Sequence, residues 1–403
     1  MENKHLLHTY QKFPVTFSHG KGAYLYDTNG KKYLDFAAGI AVSSLGYGNE
    51  EFNDTLKGQI DKLVHTSNLY HNETCGKAAK DLAKVSEMEA IFFCNSGAEA
   101  IEGSLKAARK YAHLKQNGRF AFIAMQDSFH GRSLGALSVT GREAYRAPFE
   151  PLLPKVSFAK YNNLESVKQL ISEDVCAIIL EPLQGEGGIH LGEVAFLQGV
   201  RKLCDENDIL LIFDEIQCGM GRSGSMFLWQ QLGVKPDILA MAKAIGNGLP
   251  VGAFGVTKKV KEHSLVPGDH GTTYGGNPLV CAAVSKTIEI FDKQGLVENA
   301  RKVGAYLTTE LEKIVTEFDC VQERRGLALI QGLAFNVETG PIIAKALEEG
   351  LLIIGAGNHV IRMVPPLVIT NEQVEEMIEK LRIVLTYEES RKHHGGKSVN
   401  PIP

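Results

Sequence analysis

Lys243 follows the apolar run 238–241 and leads into Gly246-Asn247-Gly248, while Asp214 ends a second apolar run, 209–213. A lysine is ordinarily a solvated surface residue, but this setting favours a buried amine. Desolvation disfavours the ammonium form and leaves a nucleophile able to condense with an aldehyde cofactor as a Schiff base. An aspartate facing the same cavity would keep a ring nitrogen protonated, as pyridoxal phosphate needs to act as an electron sink. The alternative for Asp214 is a supporting carboxylate or a metal ligand. With no histidine cluster nearby the metal reading is weak, and no metal is expected.

Other polar residues follow apolar runs in the same way. Run 91–94 passes into Asn95-Ser96-Gly97-Ala98-Glu99-Ala100, where free N–H groups and the positive dipole end of a helix would suit a phosphate; a simple N-cap is the other reading. Run 120–125 is followed by Ser128-Phe129-His130-Gly131-Arg132, with an aromatic ring to stack and a guanidinium to clamp a carboxylate. Residues 269–278 set the hydroxyls of Thr272 and Thr273 in a glycine-rich loop able to hold phosphate. Arg362 lies in the apolar stretch 361–366, where it needs an anionic partner. Each feature alone has a purely structural explanation; their joint position at the ends of apolar runs points to one site.

The elements that must position them are short β-branched runs alternating with amphipathic stretches, an α/β pattern. Candidate strands are 91–94, 120–125, 156–158, 175–180, 209–213, 238–241 and 253–256, with helices at 98–113, 164–172 and 194–207. In an open sheet of this kind, ligands collect at the carboxyl ends of the strands. Beyond about residue 287 the pattern becomes a helix at 297–318, strands at 327–337 and 359–363, and a closing helix at 371–387, which suggests a smaller α+β domain. Residues 23–36 read as a hairpin turned at Asn29-Gly30. The expected division is an N-terminal segment, 1–52, packing with the small domain; a large cofactor-binding domain, 53–287; the small domain, 288–390; and a disordered tail, 391–403.

The 403 residues suggest two large domains at about 150 residues each, and 44% hydrophobic with 22% charged residues is the composition of an ordinary globular chain. Lys+Arg 43 against Asp+Glu 47 leaves a net charge of -4, so no basic field exists to hold nucleic acid or an acidic membrane. Seven scattered cysteines without a CxxC spacing argue against a disulfide framework and a zinc site, and are expected to be reduced core residues. Residues 1–14 lack the apolar stretch of a signal peptide. No apolar run approaches the roughly 20 residues that cross a bilayer, so a cytoplasmic location is expected. Gly219-Met-Gly-Arg-Ser-Gly224 matches GxGxxG. Residues 214–218 separate it from its strand and no clear acid follows at the right distance, which weakens the dehydrogenase reading.

Seven motifs in order resemble the class III aminotransferases, pyridoxal phosphate enzymes of fold type I. They are Asn95-Ser-Gly-Ala-Glu-Ala100, Phe129-His-Gly-Arg132, Glu181-Pro-Leu-Gln-Gly-Glu186, Asp214-Glu-Ile-Gln217, Ala242-Lys-Ala244, Thr272-Thr-Tyr-Gly-Gly-Asn-Pro278 and Arg362-Met-Val-Pro-Pro366. The likeness runs from about Pro14 to near Tyr387. Residues 35–42 and 65–70 look most like the acetylornithine aminotransferase branch.

The resemblance implies a large domain with a mainly parallel seven-stranded sheet plus a smaller α+β domain. It implies that Lys243 carries the cofactor as an imine and later shuttles a proton, that Asp214 pairs with the pyridinium nitrogen, that Gln217 approaches the ring hydroxyl and that Phe129 stacks on the ring. Gly97 and Ala98 would meet the phosphate, with Thr273 reaching it from the other subunit of a homodimer with shared sites. Arg132 would hold a carboxylate of acetylornithine or the side-chain carboxylate of glutamate, and Thr272 would contact acetylornithine. Arg362 would take the glutamate α-carboxylate, with Glu186 masking it when the other substrate binds. The implied reaction moves the distal amino group of an acylated ornithine to 2-oxoglutarate. Ornithine, succinylornithine and 4-aminobutyrate aminotransferases carry nearly the same motifs, and a cofactor-binding regulatory protein of the same fold is the non-enzyme alternative. Residues 101–104 are expected to line a helix beyond the phosphate site, without a role.

Overall fold

All seven apolar runs become strands of one sheet, in the order Ala90–Cys94, Gly252–Val256, Ile238–Met241, Leu210–Asp214, Val175–Leu180, Ala121–Met125, Val156–Ala159. The computed structural model describes residues 4–115 and 118–393. Only Gly252–Val256 runs antiparallel to its neighbours; the other pairings are parallel. Val175–Leu180, Leu210–Asp214 and Ile238–Met241 are buried along their whole length, because helices cover both faces of such a sheet and every side chain meets a core. The two-residue alternation sorts them. Ile178 and Leu180 join one hydrophobic cluster, Ala177 and Ile179 the other. The helix Gly97–Lys115 lies close against the sheet through Gly103, where a Cβ would sit 2.2 Å from Cε1 of Phe254.

A second, antiparallel sheet orders Val321–Leu327, Ile330–Phe335, Val360–Met363 and Ile354–Gly355, beside the helices Leu296–Glu317, Gly340–Glu348 and Asn371–His393. The strand expected at 327–337 is Ile330–Phe335, and an unexpected strand, Val321–Leu327, precedes it, the two paired Leu327 to Ile330 across a turn with Ala328 at φ +48°. The unexpected strand carries Glu323, Arg324 and Arg325, so it lacks the apolar run that marks a strand in sequence. The helix begun at 164 ends at Lys168, and the closing helix extends to His393. Glu50–Lys62, Glu73–Ser86 and Pro278–Lys293 are helices as well, the last running through the expected boundary at 287/288. Of the expected disordered tail, 391–393 end the closing helix, and 394–403 lie outside the described residues.

The N-terminal hairpin pairs Tyr24–Asp27 with Lys32–Asp35, and Leu351–Leu352 adds to it in parallel. Asp27 Oδ1 accepts the N–H groups of Asn29 (2.8 Å) and Lys31 (2.9 Å) at the turn, while Gly30 takes φ +84°. Past the hairpin, Ala38, Gly39, Ile40 and Ala41 are all left-handed, with φ from +47° to +67°. Such backbone costs an L-residue roughly 1–2 kcal/mol. Asp35 holds it, its Oδ1 accepting from Ala37 and Ala38 N–H and its Oδ2 from the Tyr47 hydroxyl at 2.6 Å. No disulfide joins any of the seven cysteines, six of which are buried and one, Cys75, half-buried. Among the described residues, no helix is long and apolar enough to cross a membrane.

Candidate active site

The carboxyl ends of five strands open on one cavity of about 490 Å3 that gathers Gly97, Ala98, Phe129, Arg132, Glu186, Asp214, Gln217 and Lys243. Lys243 sits just past Ile238–Met241 with φ +50°, an unfavourable conformation for a residue with a Cβ and one that recurs at functional sites. Its amine makes no hydrogen bond or ion pair with any described residue. Burial, helped by the nearby Arg362 charge and opposed by Glu186, Asp214 and Glu181, pulls its pKa down to about 8.

Asp214 ends its strand and is 4% exposed. One oxygen meets His130 Nδ1 at 2.8 Å, and the other accepts the Ile216 N–H at 3.0 Å. The parallel register pairs Phe213 with Leu180, which brings Glu181 alongside Asp214. Burial raises the Glu181 carboxyl to about 7 and the Asp214 charge adds to the rise, while His130 and two backbone N–H groups oppose it.

Arg362, on Val360–Met363, is 2% exposed and lies behind the cavity wall, against two of its lining residues. Its Nη1 donates to Glu186 Oε1 at 2.6 Å and to Gln217 Oε1 at 2.9 Å. Burial pushes the Glu186 carboxyl up, but the Arg362 charge and hydrogen bond outweigh it, and its pKa falls below the usual carboxylate value. Gln217 thus spends its carbonyl on Arg362 rather than standing free. Arg132 is exposed at the mouth, its guanidinium 3.9 Å from the Tyr145 ring centre and 5.4 Å from that of Phe129. Among the described residues, no carboxylate lies within ion-pairing distance of it.

Gly97 and Ala98 open the helix Gly97–Lys115, ahead of its first bond from Ala100 N–H to Ser96 O, so their N–H groups have no helical acceptor. Gly97 packs closely on the wall: a Cβ there would lie 3.0 Å from Ile216 Cδ1, so the Ile216 side chain would have to give by a few tenths of an ångström. Thr272 and Thr273 are not brought to Lys243 in this chain. They line a neighbouring cavity with His65 and Asn68, and Thr272 touches the first only through Asn95, whose Nδ2 donates to its Oγ1 at 3.1 Å.

Several residues at the site had no assigned part in the sequence reading. His130 and Glu181 stood inside quoted motifs, and the rule of polar residues after apolar runs points to Glu181. Val42 and Ile216 line the cavity, but apolar walls have no sequence mark. Glu102, set aside with 101–104, accepts from Ser133 Oγ (2.7 Å) and the N–H groups of Gly135 and Ala136 (2.9 and 3.3 Å), and so anchors the chain just past Arg132. Arg142 donates to the backbone oxygen of Glu186 and, at 3.3 Å, to the Tyr145 hydroxyl.

An unpartnered amine, a buried carboxylate oriented by histidine, and a helix start with free N–H groups on one cavity fit a phosphorylated pyridine aldehyde. The Aminotransferase class-III family model matches residues 6–385, and the chain belongs to that family. It is 44% identical over 380 residues to the acetylornithine aminotransferase of Clostridium acetobutylicum, covering 94% of this chain and 98% of that protein. Among solved structures, the N-acetylornithine aminotransferase of Stenotrophomonas maltophilia is similar at TM-score 0.81 and 34% identity, over 94% of this chain and 97% of that one. The ornithine aminotransferase of Toxoplasma gondii is similar at TM-score 0.93 and 30% identity, over 96% and 93%, in a crystal structure that reveals partial occupancy of pyridoxal phosphate at its active site.

Proposed function

We propose that this class III aminotransferase uses pyridoxal 5'-phosphate to move the distal amino group of N2-acetyl-L-ornithine to 2-oxoglutarate, giving N-acetyl-L-glutamate 5-semialdehyde and L-glutamate. When bound, the cofactor supplies an aldehyde for the amine and a cationic ring that withdraws electrons from the substrate carbon. Lys243, whose pKa burial lowers to about 8 so that it gives up its proton more readily than an ordinary lysine, supplies the amine that takes a proton from the substrate carbon and returns it. Asp214, oriented by His130 at 2.8 Å, holds the ring-nitrogen proton. The N–H groups of Gly97 and Ala98 take the phosphate, and Phe129 covers the ring. Arg132 holds a substrate carboxylate at the mouth.

The observation that carries the reading is the 2.6 Å pair of Arg362 with Glu186, whose side chain lines the cavity of Lys243. Two substrates must present different amino groups to one lysine. Glutamate brings an α-carboxylate beside its reacting carbon and acetylornithine does not, so one cation must be available to the first and neutralised for the second. Glu186 masks Arg362 with acetylornithine and yields it to glutamate.

The reading extends to a cytoplasmic homodimer with shared sites. Thr272 and Thr273 lie outside the cavity of their own chain, as residues offered to a second subunit would, and seven cysteines without a disulfide suit a reducing compartment. The division into residues 1–52, 53–287 and 288–390 belongs to the same proposal, supported by the parallel pairing of Leu34 and Asp35 with Leu351 and Leu352.

The test is an absorbance spectrum of the cofactor-loaded protein before and after N-acetylornithine is added without a keto acid, beside a Lys243→Ala variant. Loss of the aldehyde-form band in the wild type alone supports the assignment. A band that stays put overturns the substrate, with ornithine, succinylornithine and 4-aminobutyrate next in line. Absence of any cofactor band after pyridoxal phosphate is supplied overturns the transaminase reading, whereas a band that no amino donor converts favours a cofactor-binding regulatory protein.

A further inference from the structure

Glu181 has no part in the roles assigned above, yet it is 5% exposed on the wall of the same cavity. Its two oxygens go to two different segments. Oε2 accepts the Phe129 N–H at 3.0 Å, and Oε1 accepts the Gly185 N–H at 3.3 Å. Phe129 begins the turn whose next residue, His130, holds Asp214. Gly185 precedes Glu186, which holds Arg362. Gly185 is itself confined: a Cβ there would lie 2.0 Å from Gln217 Oε1, so this turn packs directly on the side chain that shares Arg362.

We infer that Glu181 is a positioning residue, a buried carboxylate clamp that ties the backbone of the cofactor-facing turn at Phe129 to that of the turn carrying Glu186, and so biases Arg362 toward its masked state. The inference rests on the dual-substrate reading of the Glu186 and Arg362 pair. Its direction follows from the geometry. With the Gly185 anchor gone, Glu186 ranges more widely and neutralises Arg362 for a smaller fraction of the time. The reaction that needs Arg362 masked suffers, while the reaction that needs it free does not.

Two measurements on Glu181→Gln test this. The amide nitrogen of glutamine keeps the size but turns one acceptor into a donor that faces a backbone N–H. In the protein without cofactor, hydrogen exchange followed by mass spectrometry should show peptides containing Phe129 and Gly185 exchanging roughly tenfold faster, the effect of one lost hydrogen bond of ordinary net strength, with peptides from 321–335 unchanged. In cofactor-loaded enzyme, kcat/KM for N-acetylornithine should fall roughly tenfold relative to kcat/KM for glutamate. Unchanged exchange at both segments overturns the clamp, and an equal fall for both substrates overturns the bias on Arg362. Should Glu181→Gln not fold, Glu181→Asp, which keeps the charge with a shorter reach, must show the same two signs, and failure to do so overturns the inference. Wild-type enzyme that converts glutamate but not acetylornithine defeats the substrate assignment instead, and the exchange result stands apart from it.

Discussion

The free amine of Lys243 costs the fold something that can be measured without any substrate. Its pKa is about 8 in the folded chain against 10.5 in the ordinary case. Below pH 8 both folded and unfolded chains carry the ammonium, and the folded one bears the full penalty. Between pH 8 and 10.5 the unfolded chain still binds the proton while the folded one has lost it, so stability rises with pH through that window. A shift of this size corresponds to about 3 kcal/mol. Lys243→Met, without cofactor, is therefore expected to be more stable than wild type at pH 7 by about 3 kcal/mol, with the gap closing toward pH 10.5. Urea unfolding of both proteins at pH 7 and pH 10 checks this, and a gap that does not depend on pH defeats it. The comparison between variant and wild type cancels groups, such as the tyrosines, that titrate alike in both.

At the scale of elements, the neighbouring carboxylate shows how the site's framework is built. Glu215 follows Asp214 but turns the other way, to the short helix Leu228–Leu232, accepting the N–H groups of Leu228 at 2.5 Å and Trp229 at 2.8 Å. Burial raises its pKa to about 8, and the helix start depends on it, since the first N–H groups of a helix have no internal acceptor. Glu215→Ala leaves both donors buried and unpaired at a cost of about 3 kcal/mol. Trp229 is the single tryptophan, so its fluorescence in a urea titration reports the lower midpoint directly; an unchanged midpoint would remove the capping role. The sequence showed Asp214-Glu215 as one acidic pair after one strand and could not show that the two side chains serve opposite masters. What it did show follows from burial. Fully covered strands must be continuously apolar, so Val175–Leu180 and Ile238–Met241 were legible to the residue, and the residues following them marked the cavity. Val321–Leu327, with three charged side chains, was not legible. Neither was the left-handed stretch Ala38 to Ala41, because its cause is tertiary: Asp35 and Tyr47 hold backbone that no local preference would choose.

For the molecule as a whole, the glycine pattern at 219–224 has a use unlike the dinucleotide loop it matches. Arg222 within it is completely buried. It donates to the carbonyl of Leu329 at 2.9 Å, to that of Pro365 at 2.7 Å, and to Ser44 Oγ at 3.4 Å. One side chain thus joins the N-terminal segment, the loop after Asp214 and two places in the C-terminal third, all near the strands that deliver Arg362. Burial lowers its pKa to about 9, with Asp35 opposing the fall. No carboxylate among the described residues is within ion-pairing distance, so the charge is held by backbone dipoles. Arginine suits this because its planar fork reaches several acceptors at once. Arg222→Met fills similar space but strands two buried carbonyls, at a cost of about 3 kcal/mol. For 403 residues, that corresponds to a fall in Tm of roughly 3–4 °C. Arg222→Lys, whose single ammonium cannot span the same acceptors, should recover only part of the loss. Calorimetry of the three proteins decides: if Arg222→Met melts with wild type, the cross-chain tie contributes nothing, and if Arg222→Lys fully restores Tm, charge alone and not the fork is what holds these segments together.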